Sequence, residues 1–196
     1  MIGNELAHFY GSALEIAPRT IIHRHDHLRE ADLFVVGKQG PGRGGQVNNT
    51  DAINSLLANI LNLRRGECTA TAVRRVRALR PDEPLIELPA GLTSGLTCFK
   101  HETAGAALDA LIADMRTGRL AEWAAGETYT LAVTLDSRGA SAFISLRKPQ
   151  RWELDFRSAV RGFAEPGFRN RSCLVERNVT VNGDVFLQLA EKLGPH

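Results

Sequence analysis

The feature that most constrains the fold is a change in the spacing of apolar residues along the chain of 196 residues. Over the segments 4–14, 20–31, 50–61, 69–79 and 103–115, apolar residues recur every three or four positions, which is the period of a helix with one buried side. Residues 128–146 instead alternate across Asp136-Ser-Arg-Gly139, which predicts a β-hairpin. Because neither type of secondary structure accommodates both periods, we predict an α+β fold.

Four helices are predicted before residue 80, and the first three are each introduced by a polar residue that can cap the first turn. The predicted capping residues are Asn4, Thr20, and Thr50 or Asn49, and the fourth helix is predicted to start at Thr69. The second helix is expected to end near Ala31 and the fourth to end at Leu79. Between the second and third helices, the apolar and partly β-branched run over residues 33–36 predicts a short strand.

Residues 81–95, which contain P-D-E-P and L-P-A-G, are predicted to link two domains. Residues 1–80 are predicted to form the helical domain. Residues 96–196 are expected to form an α+β domain with a small sheet, used for oligomerisation or partner binding. Its predicted elements are a helix over 103–115, the hairpin, extended segments over 152–156 and 172–181, and a closing helix over 184–193.

Composition limits the class of protein further. An apolar fraction of 43% is sufficient to fill a hydrophobic core. The sequence has no run of eighteen apolar residues and no secretory leader, so we expect a cytoplasmic protein that does not bind membranes. Cys68, Cys98 and Cys173 are far apart and odd in number, which argues against a disulfide framework.

Positive charge is concentrated in the first part of the chain, although the net charge is only +2. Residues 1–80 carry 11 Lys and Arg against 7 Asp and Glu, whereas residues 81–196 carry 13 against 15. Four of the six histidines also lie within the first 27 residues. These observations favour an anionic partner for the N-terminal half.

The segment V-V-G-K-Q-G-P-G-R-G-G-Q-V-N-N, residues 35–49, contains five glycines, two cations and no acidic residue. It admits three interpretations: a loop that contacts nucleic acid, a plain connector, or a cradle for nucleotide phosphates. Glycine amides can approach phosphates closely, and Lys38 and Arg43 would neutralise them. The cradle is the least favoured, because the loop does not run directly into a helix as such motifs require. The first two interpretations remain open.

The order of the N-terminal elements is that of a winged helix-turn-helix, in which a basic loop follows the second helix. I-G-N-E-L-A (residues 2–7), P-R-T-I-I (18–22) and L-R-E-A-D-L-F (28–34) resemble the start of the MerR-type regulators. The resemblance implies that the second helix enters the major groove of DNA and that the loop forms a wing on the phosphate backbone. It places Thr20, His23, Arg24 and His27 on DNA, and Lys38 and Arg43 on the wing; we include the adjacent Arg19 in the same surface.

An arginine-rich region follows the third predicted helix, with six arginines at positions 64, 65, 74, 75, 77 and 80. Guanidinium groups bind phosphates well, so this region could extend a surface that binds the DNA backbone. It could equally be a solvated helix exterior paired with Asp82, Glu83 or Glu87. Both interpretations remain open, and our candidate DNA contacts here are Arg64, Arg65, Arg74 and Arg75.

Metal binding and catalysis are less favoured by the sequence. In His23-x-His25-x-His27, only His23 and His27 can face the same side of a helix, and two ligands are too few for a structural zinc site. Cys98-x-x-His101 is equally incomplete. We therefore predict no metal and no cofactor. Neither Gly-x-Ser-x-Gly nor another nucleophile with a recognisable base is present, so we predict that the protein is not an enzyme.

The sequence therefore predicts a sequence-specific DNA-binding transcriptional regulator of bacterial or phage origin. A homodimer or a protein partner is expected, because one winged helix buries too little surface to give useful specificity alone. The alternative is a phage accessory or inhibitory protein that uses the same helices to bind a protein and does not bind DNA.

Overall fold

The computed structural model describes residues 1–35, 45–87, 95–126, 129–136, 141–149, 156–164 and 178–194. Its helices are α1 (Gly3–Ala13), α2 (Pro18–Glu30), α3 (Asn49–Ile60), α4 (Thr69–Arg77), α5 (Ala104–Arg116), α6 (Arg119–Ala124) and α7 (Gly183–Leu193), with a 3-10 turn at Cys98–Lys100. Its strands are β1 (Arg80–Glu87), β2 (Thr130–Asp136), β3 (Ser141–Pro149), β4 (Phe156–Ala164) and β5 (Asn178–Asn182). This combination of helices and a sheet confirms the predicted α+β class.

The strands form one sheet in the order β1-β4-β3-β2-β5, and all neighbouring strands are antiparallel. The predicted hairpin is confirmed, since β2 and β3 pair from Thr130 opposite Arg147 to Leu135 opposite Ala142. Residues of β2 alternate between buried and more exposed positions, as the sequence pattern requires. Of the extended segments predicted over 152–156 and 172–181, the structure describes the start of β4 at residue 156 and β5 from residue 178.

The linker predicted for residues 81–95 is wrong where the structure describes it as a strand. Residues 80–87 form β1, which pairs antiparallel with β4 and has a register irregularity between Pro81 and Ile86. Proline cannot donate a hydrogen bond to a neighbouring strand, so it is tolerated in strands at the edge of a sheet, which is the position of β1. The prolines that indicated a linker are therefore compatible with this edge strand.

The starts of the first two helices differ from those predicted. Asn4 lies inside α1, whose N-cap is Ile2, and the Ile2 amide donates to the Glu5 carboxylate over 2.9 Å. Helix α2 begins at Pro18, so Thr20 lies in its first turn and does not cap it. The fixed backbone angle of proline suits the first position of a helix, which explains why Pro18 starts α2 two residues before the predicted cap, Thr20.

The strand predicted over residues 33–36 is wrong for residues 33–35, which the structure describes as irregular. The Leu33 carbonyl accepts a hydrogen bond from the Asn54 amide nitrogen over 2.7 Å, and the Val35 amide donates to Asp51 Oδ1 over 2.9 Å. Side chains of α3 therefore bind the backbone groups that a strand would use. The cap of α3 is Asn48, which precedes both predicted positions, Asn49 and Thr50, and its side chain accepts from the Asp51 amide over 2.7 Å.

Buried apolar side chains from both halves of the chain form one cluster, which includes Leu28 and Ile53 from the N-terminal helices and Phe163 from the sheet. Helix α5 connects these regions, because it contacts α3 and α4 as well as α7. The approach of α5 to α4 is close at Gly105, where an added Cβ would lie 2.8 Å from the Cβ of Arg77. Glycine at position 105 therefore allows this helix packing.

Candidate nucleic-acid interface

Helix α2, the predicted recognition helix, has one buried and one exposed side. Ile21, His25 and Leu28 are buried. The opposite side is exposed and polar, and it carries Arg19, Thr20, His23, Asp26, His27 and Glu30. These six positions lie within about 120° around the helix axis, given a rotation of about 100° per residue. The structure therefore brings four of the candidate DNA contacts, Arg19, Thr20, His23 and His27, to one face.

The buried side of α2 is fixed by His25. Its Nε2 atom lies 2.6 Å from Ser55 Oγ of α3, and its ring stacks on Phe34 with centroids 4.3 Å apart. Burial lowers the pKa of His25 to about 4, and the nearby Arg29 acts in the same direction. The ring is therefore neutral at physiological pH, and it sets the rotation of α2 about its axis.

Arg24, another candidate DNA contact, is half-buried and binds the end of α3. Its Nη1 donates to Asn59 Oδ1 over 2.9 Å and to the Asn59 carbonyl over 3.2 Å. That carbonyl lies in the last turn of α3, where backbone acceptors have no partner within the helix. Arg24 therefore joins α2 to α3 and has a structural role that the sequence prediction did not assign to it.

Arg75 is likewise engaged within the protein. Its Nε and Nη2 donate to the two carboxylate oxygens of Glu67 over 2.9 and 3.0 Å. Only 15% of the Arg75 side chain and 9% of the Glu67 side chain are exposed. The hydrogen bonds from Arg75 hold the pKa of Glu67 below its usual value. Little of the Arg75 side chain therefore faces solvent, and its contact with DNA stays a prediction.

Arg74 is exposed, and its Nη2 donates to the carbonyl of Ala31 over 2.6 Å. Ala31 is the C-cap of α2, so this bond joins α4 to the end of the predicted recognition helix. Arg74 therefore lies next to α2, as it must if both helices contribute to one DNA-binding surface. Part of its guanidinium group, however, binds the backbone at the end of α2.

Arg64 and Arg65 are exposed in the loop between α3 and α4. The loop begins at residue 61, two residues after Asn59, the residue that binds Arg24 of α2. The Arg64 amide donates to Glu67 Oε2 over 3.0 Å, which fixes the backbone of the loop. These two arginines therefore lie on a segment that is anchored close to α2. Lys38 and Arg43 of the predicted wing fall in residues 36–44, outside the described residues.

Sequence reasoning missed the partner of Arg77, which was expected to face outward. Arg77 instead forms two hydrogen bonds to Asp109 of α5, over 3.1 and 2.6 Å, and a third to Asn54 of α3 over 3.1 Å. Thr50 Oγ1 also donates to Asp109 over 2.8 Å. Because Asp109 is 32 positions away from Arg77, no local spacing could have indicated this pair.

Sequence reasoning also missed the role of Glu30. Its Oε2 lies 3.6 Å from Nδ1 of His27, and Nε2 of His27 lies 3.2 Å from Nε2 of His23. The spacings of three and four residues within α2 could have indicated both contacts. Among the described residues, no three His, Cys, Asp or Glu side chains are grouped so that they could hold one metal ion.

No protein-family model, curated protein or solved structure matches the chain. The resemblance to the MerR-type regulators therefore rests on its three short sequence motifs. Within the described part of the chain, no helix has both the length and the apolar character needed to cross a membrane.

Proposed function

We propose that the N-terminal helices bind double-stranded DNA through the exposed side of α2 and the α3–α4 loop, as part of a bacterial or phage transcriptional regulator. The observation that carries this proposal is the division of α2 into two sides. His25 and its apolar neighbours fix one side in the core, and Arg19, Thr20, His23 and His27 are exposed together on the other. A helix that is held rigidly and presents polar side chains is suited to the major groove.

The exposed arginines and the polar side chains of α2 would have different tasks. Arg19, Arg64 and Arg65 would bind phosphates, release counterions and supply affinity without sequence preference. Thr20, His23 and His27 would read base edges, because hydroxyl and imidazole groups can donate or accept hydrogen bonds. A homodimer or a protein partner would supply the additional surface that sequence specificity requires.

The decisive experiment measures binding of random duplex DNA over a series of salt concentrations. We expect affinity to fall as salt rises, and Arg19→Ala with Arg65→Ala to reduce the slope of log K against log salt by about 2. The matched control is Lys100→Ala with Lys192→Ala, which removes the same charge from two exposed positions in the other half of the chain. The control should keep the wild-type slope. Equal slopes for all three proteins would reject the proposed surface.

A second measurement separates phosphate contacts from base contacts. Selection of binding sites from a randomised duplex pool should yield a preferred sequence for the wild-type protein. Thr20→Ala or His23→Ala should relax that preference at individual positions, whereas Arg65→Ala should weaken all sequences alike. A pool that shows no enrichment with the wild-type protein would remove sequence-specific regulation from the proposal and leave only general DNA binding.

The alternative, a phage accessory or inhibitory protein that binds another protein, is favoured by a different observation. Leu63, beside Arg64 and Arg65, is 48% exposed, and the exposed side of α2 also carries Asp26 and Glu30. Mixed charge with an exposed apolar side chain is suited to a protein partner. Absence of salt-dependent DNA binding, with a partner captured by the wild-type chain and lost on Leu63→Asp, would support this alternative.

A further inference from the structure

The two exposed histidines of α2 converge through the same ring atom. Nε2 of His23 lies 3.2 Å from Nε2 of His27, and the ring centroids are 4.6 Å apart with the planes inclined at 69°. Both residues are exposed, so solvent and ions reach the space beside the two nitrogens. Two imidazoles one helical turn apart can share a metal ion when these nitrogens lie at the right separation.

The observed separation is the one that a shared ion requires. Zinc binds histidine nitrogen at about 2.0–2.1 Å, so two nitrogens of a tetrahedral site lie about 3.3 Å apart, and two at a right angle lie about 2.9 Å apart. The distance of 3.2 Å between the two Nε2 atoms falls between these values. The distance between the two nitrogens therefore needs little change for both to bind one ion, and the four-residue spacing on α2 supplies that distance.

Glu30 lies beside one of the two ligands. Its carboxylate lies 3.6 Å from Nδ1 of His27, on the ring atom that faces away from His23. A carboxylate in this position favours a proton on Nδ1 and leaves the Nε2 lone pair for a metal. Which of the two Nε2 atoms donates in the metal-free pair depends on the tautomers of the rings. With a metal ion bound, each ring would carry its proton on Nδ1, so both Nε2 lone pairs would be free to coordinate.

We infer that His23 and His27 form a binding site for one borderline transition-metal ion such as Zn²⁺, Ni²⁺ or Cu²⁺, with Glu30 as a positioning residue. Imidazole nitrogen prefers these ions, whereas Mg²⁺ and Ca²⁺ prefer oxygen ligands. Water would occupy the remaining coordination positions, because the described residues supply no third ligand to this pair. The site is thus open to solvent and its ion can exchange. A structural zinc site, which the sequence argues against, would instead have four protein ligands.

Isothermal titration calorimetry of the untagged full chain with Zn²⁺, Ni²⁺ or Cu²⁺ alone tests this inference. No DNA is present, so the result does not depend on the proposed function. We expect one ion per chain, with Cu²⁺ bound most tightly and no binding of Mg²⁺. His23→Ala and His27→Ala should each reduce the affinity for Zn²⁺ by at least about tenfold, since one imidazole alone cannot chelate.

The matched control is His8→Ala, which removes an exposed histidine from α1. This variant should bind Zn²⁺ as the wild-type chain does, and far-ultraviolet circular dichroism should show that all variants are folded. No binding by the wild-type chain would overturn the inference. Equal binding by the wild-type chain, His23→Ala and His27→Ala would also overturn it, as would an equal loss in His8→Ala.

Glu30→Gln tests the positioning role separately from chelation. Removal of a carboxylate that orients a histidine ligand costs about 10-fold to 100-fold in metal affinity, and the exposure of Glu30 places the expected effect at or below about tenfold. The stoichiometry should remain one ion per chain. A Glu30→Gln variant with unchanged Zn²⁺ affinity would remove Glu30 from the site, and a variant that loses binding completely would make it a ligand.

Discussion

The anchored arginines of this protein, Arg24, Arg75 and Arg77, differ from the exposed arginines, Arg19, Arg64 and Arg65. The anchored side chains donate to acceptors on α3, on Glu67 before α4, or on α5. The exposed ones lie on the outer side of α2 and on the α3–α4 loop. All six contribute equally to the positive charge of the N-terminal half. The comparison therefore shows that net charge along a sequence overstates the charge available to an anionic partner.

The largest effect that distinguishes the two groups is expected for Arg77→Ala. This change leaves Asp109 without its guanidinium partner and removes the bond to Asn54, so the free energy of unfolding should fall by about 2 kcal/mol. That value lies below the usual cost for a fully buried pair, because both side chains are about one-fifth exposed. Urea denaturation measures the change. A loss below about 0.5 kcal/mol would place Arg77 with the exposed arginines.

Arg24→Ala sharpens the comparison, because this residue lies on α2 beside the proposed DNA-binding face. Its acceptors are neutral and its side chain is half-buried, so we expect unfolding to require about 1 kcal/mol less free energy. The salt dependence of DNA binding should remain that of the wild-type chain. Wild-type stability together with a reduced salt slope would show instead that Arg24 contacts phosphate.

Acid should weaken the bond made by Arg75 more than it affects the exposed arginines. The pKa of Glu67 is lowered in the folded chain, so its contribution to stability is present above the ordinary glutamate pKa and is lost as pH falls through the folded-state value. Glu67→Gln should therefore cost up to about 1 kcal/mol at neutral pH and less in acid. Denaturation at both pH values measures this difference, and a cost that is independent of pH would contradict it.

Arg19→Ala should produce the smallest change in stability, within about 0.5 kcal/mol of the wild-type chain. Its side chain lies on the exposed side of α2, so its removal creates no cavity in the core. The same variant should reduce the salt slope of DNA binding by about 1. Thermal unfolding and the binding series, measured on one preparation, would together show whether Arg19 belongs with the exposed group.

Apolar spacing in the sequence was sufficient to predict most of the helices and the hairpin of β2 and β3, because these are local patterns. It was not sufficient for β1, whose prolines are also typical of a loop and whose partner β4 lies far along the chain, 82 positions further on in the pairing of Pro81 with Phe163. Capping positions were displaced where Pro18 and Ile2 occupied the helix starts.

The candidate site shows the same limit. The buried side of α2 is formed by Ile21, His25 and Leu28, whose spacing is visible in the sequence. The exposed side on the opposite face could therefore be predicted from the sequence. The partners of Arg24 and Arg77 could not, because Asn59 and Asp109 are brought to them by the packing of separate helices. Spacing predicted that His23 and His27 share one side, but only the side-chain rotamers determine the distance between their nitrogens.

The close fit of Gly105 against Arg77 has a consequence for how this fold can diverge. An alanine at position 105 would collide with the Arg77 side chain at its base, so rotation of the guanidinium end would give no relief. Shortening residue 77 would not make room either, because the atom in the way is the Cβ that every residue except glycine carries. Position 105 should therefore remain glycine for as long as α4 and α5 pack at this distance.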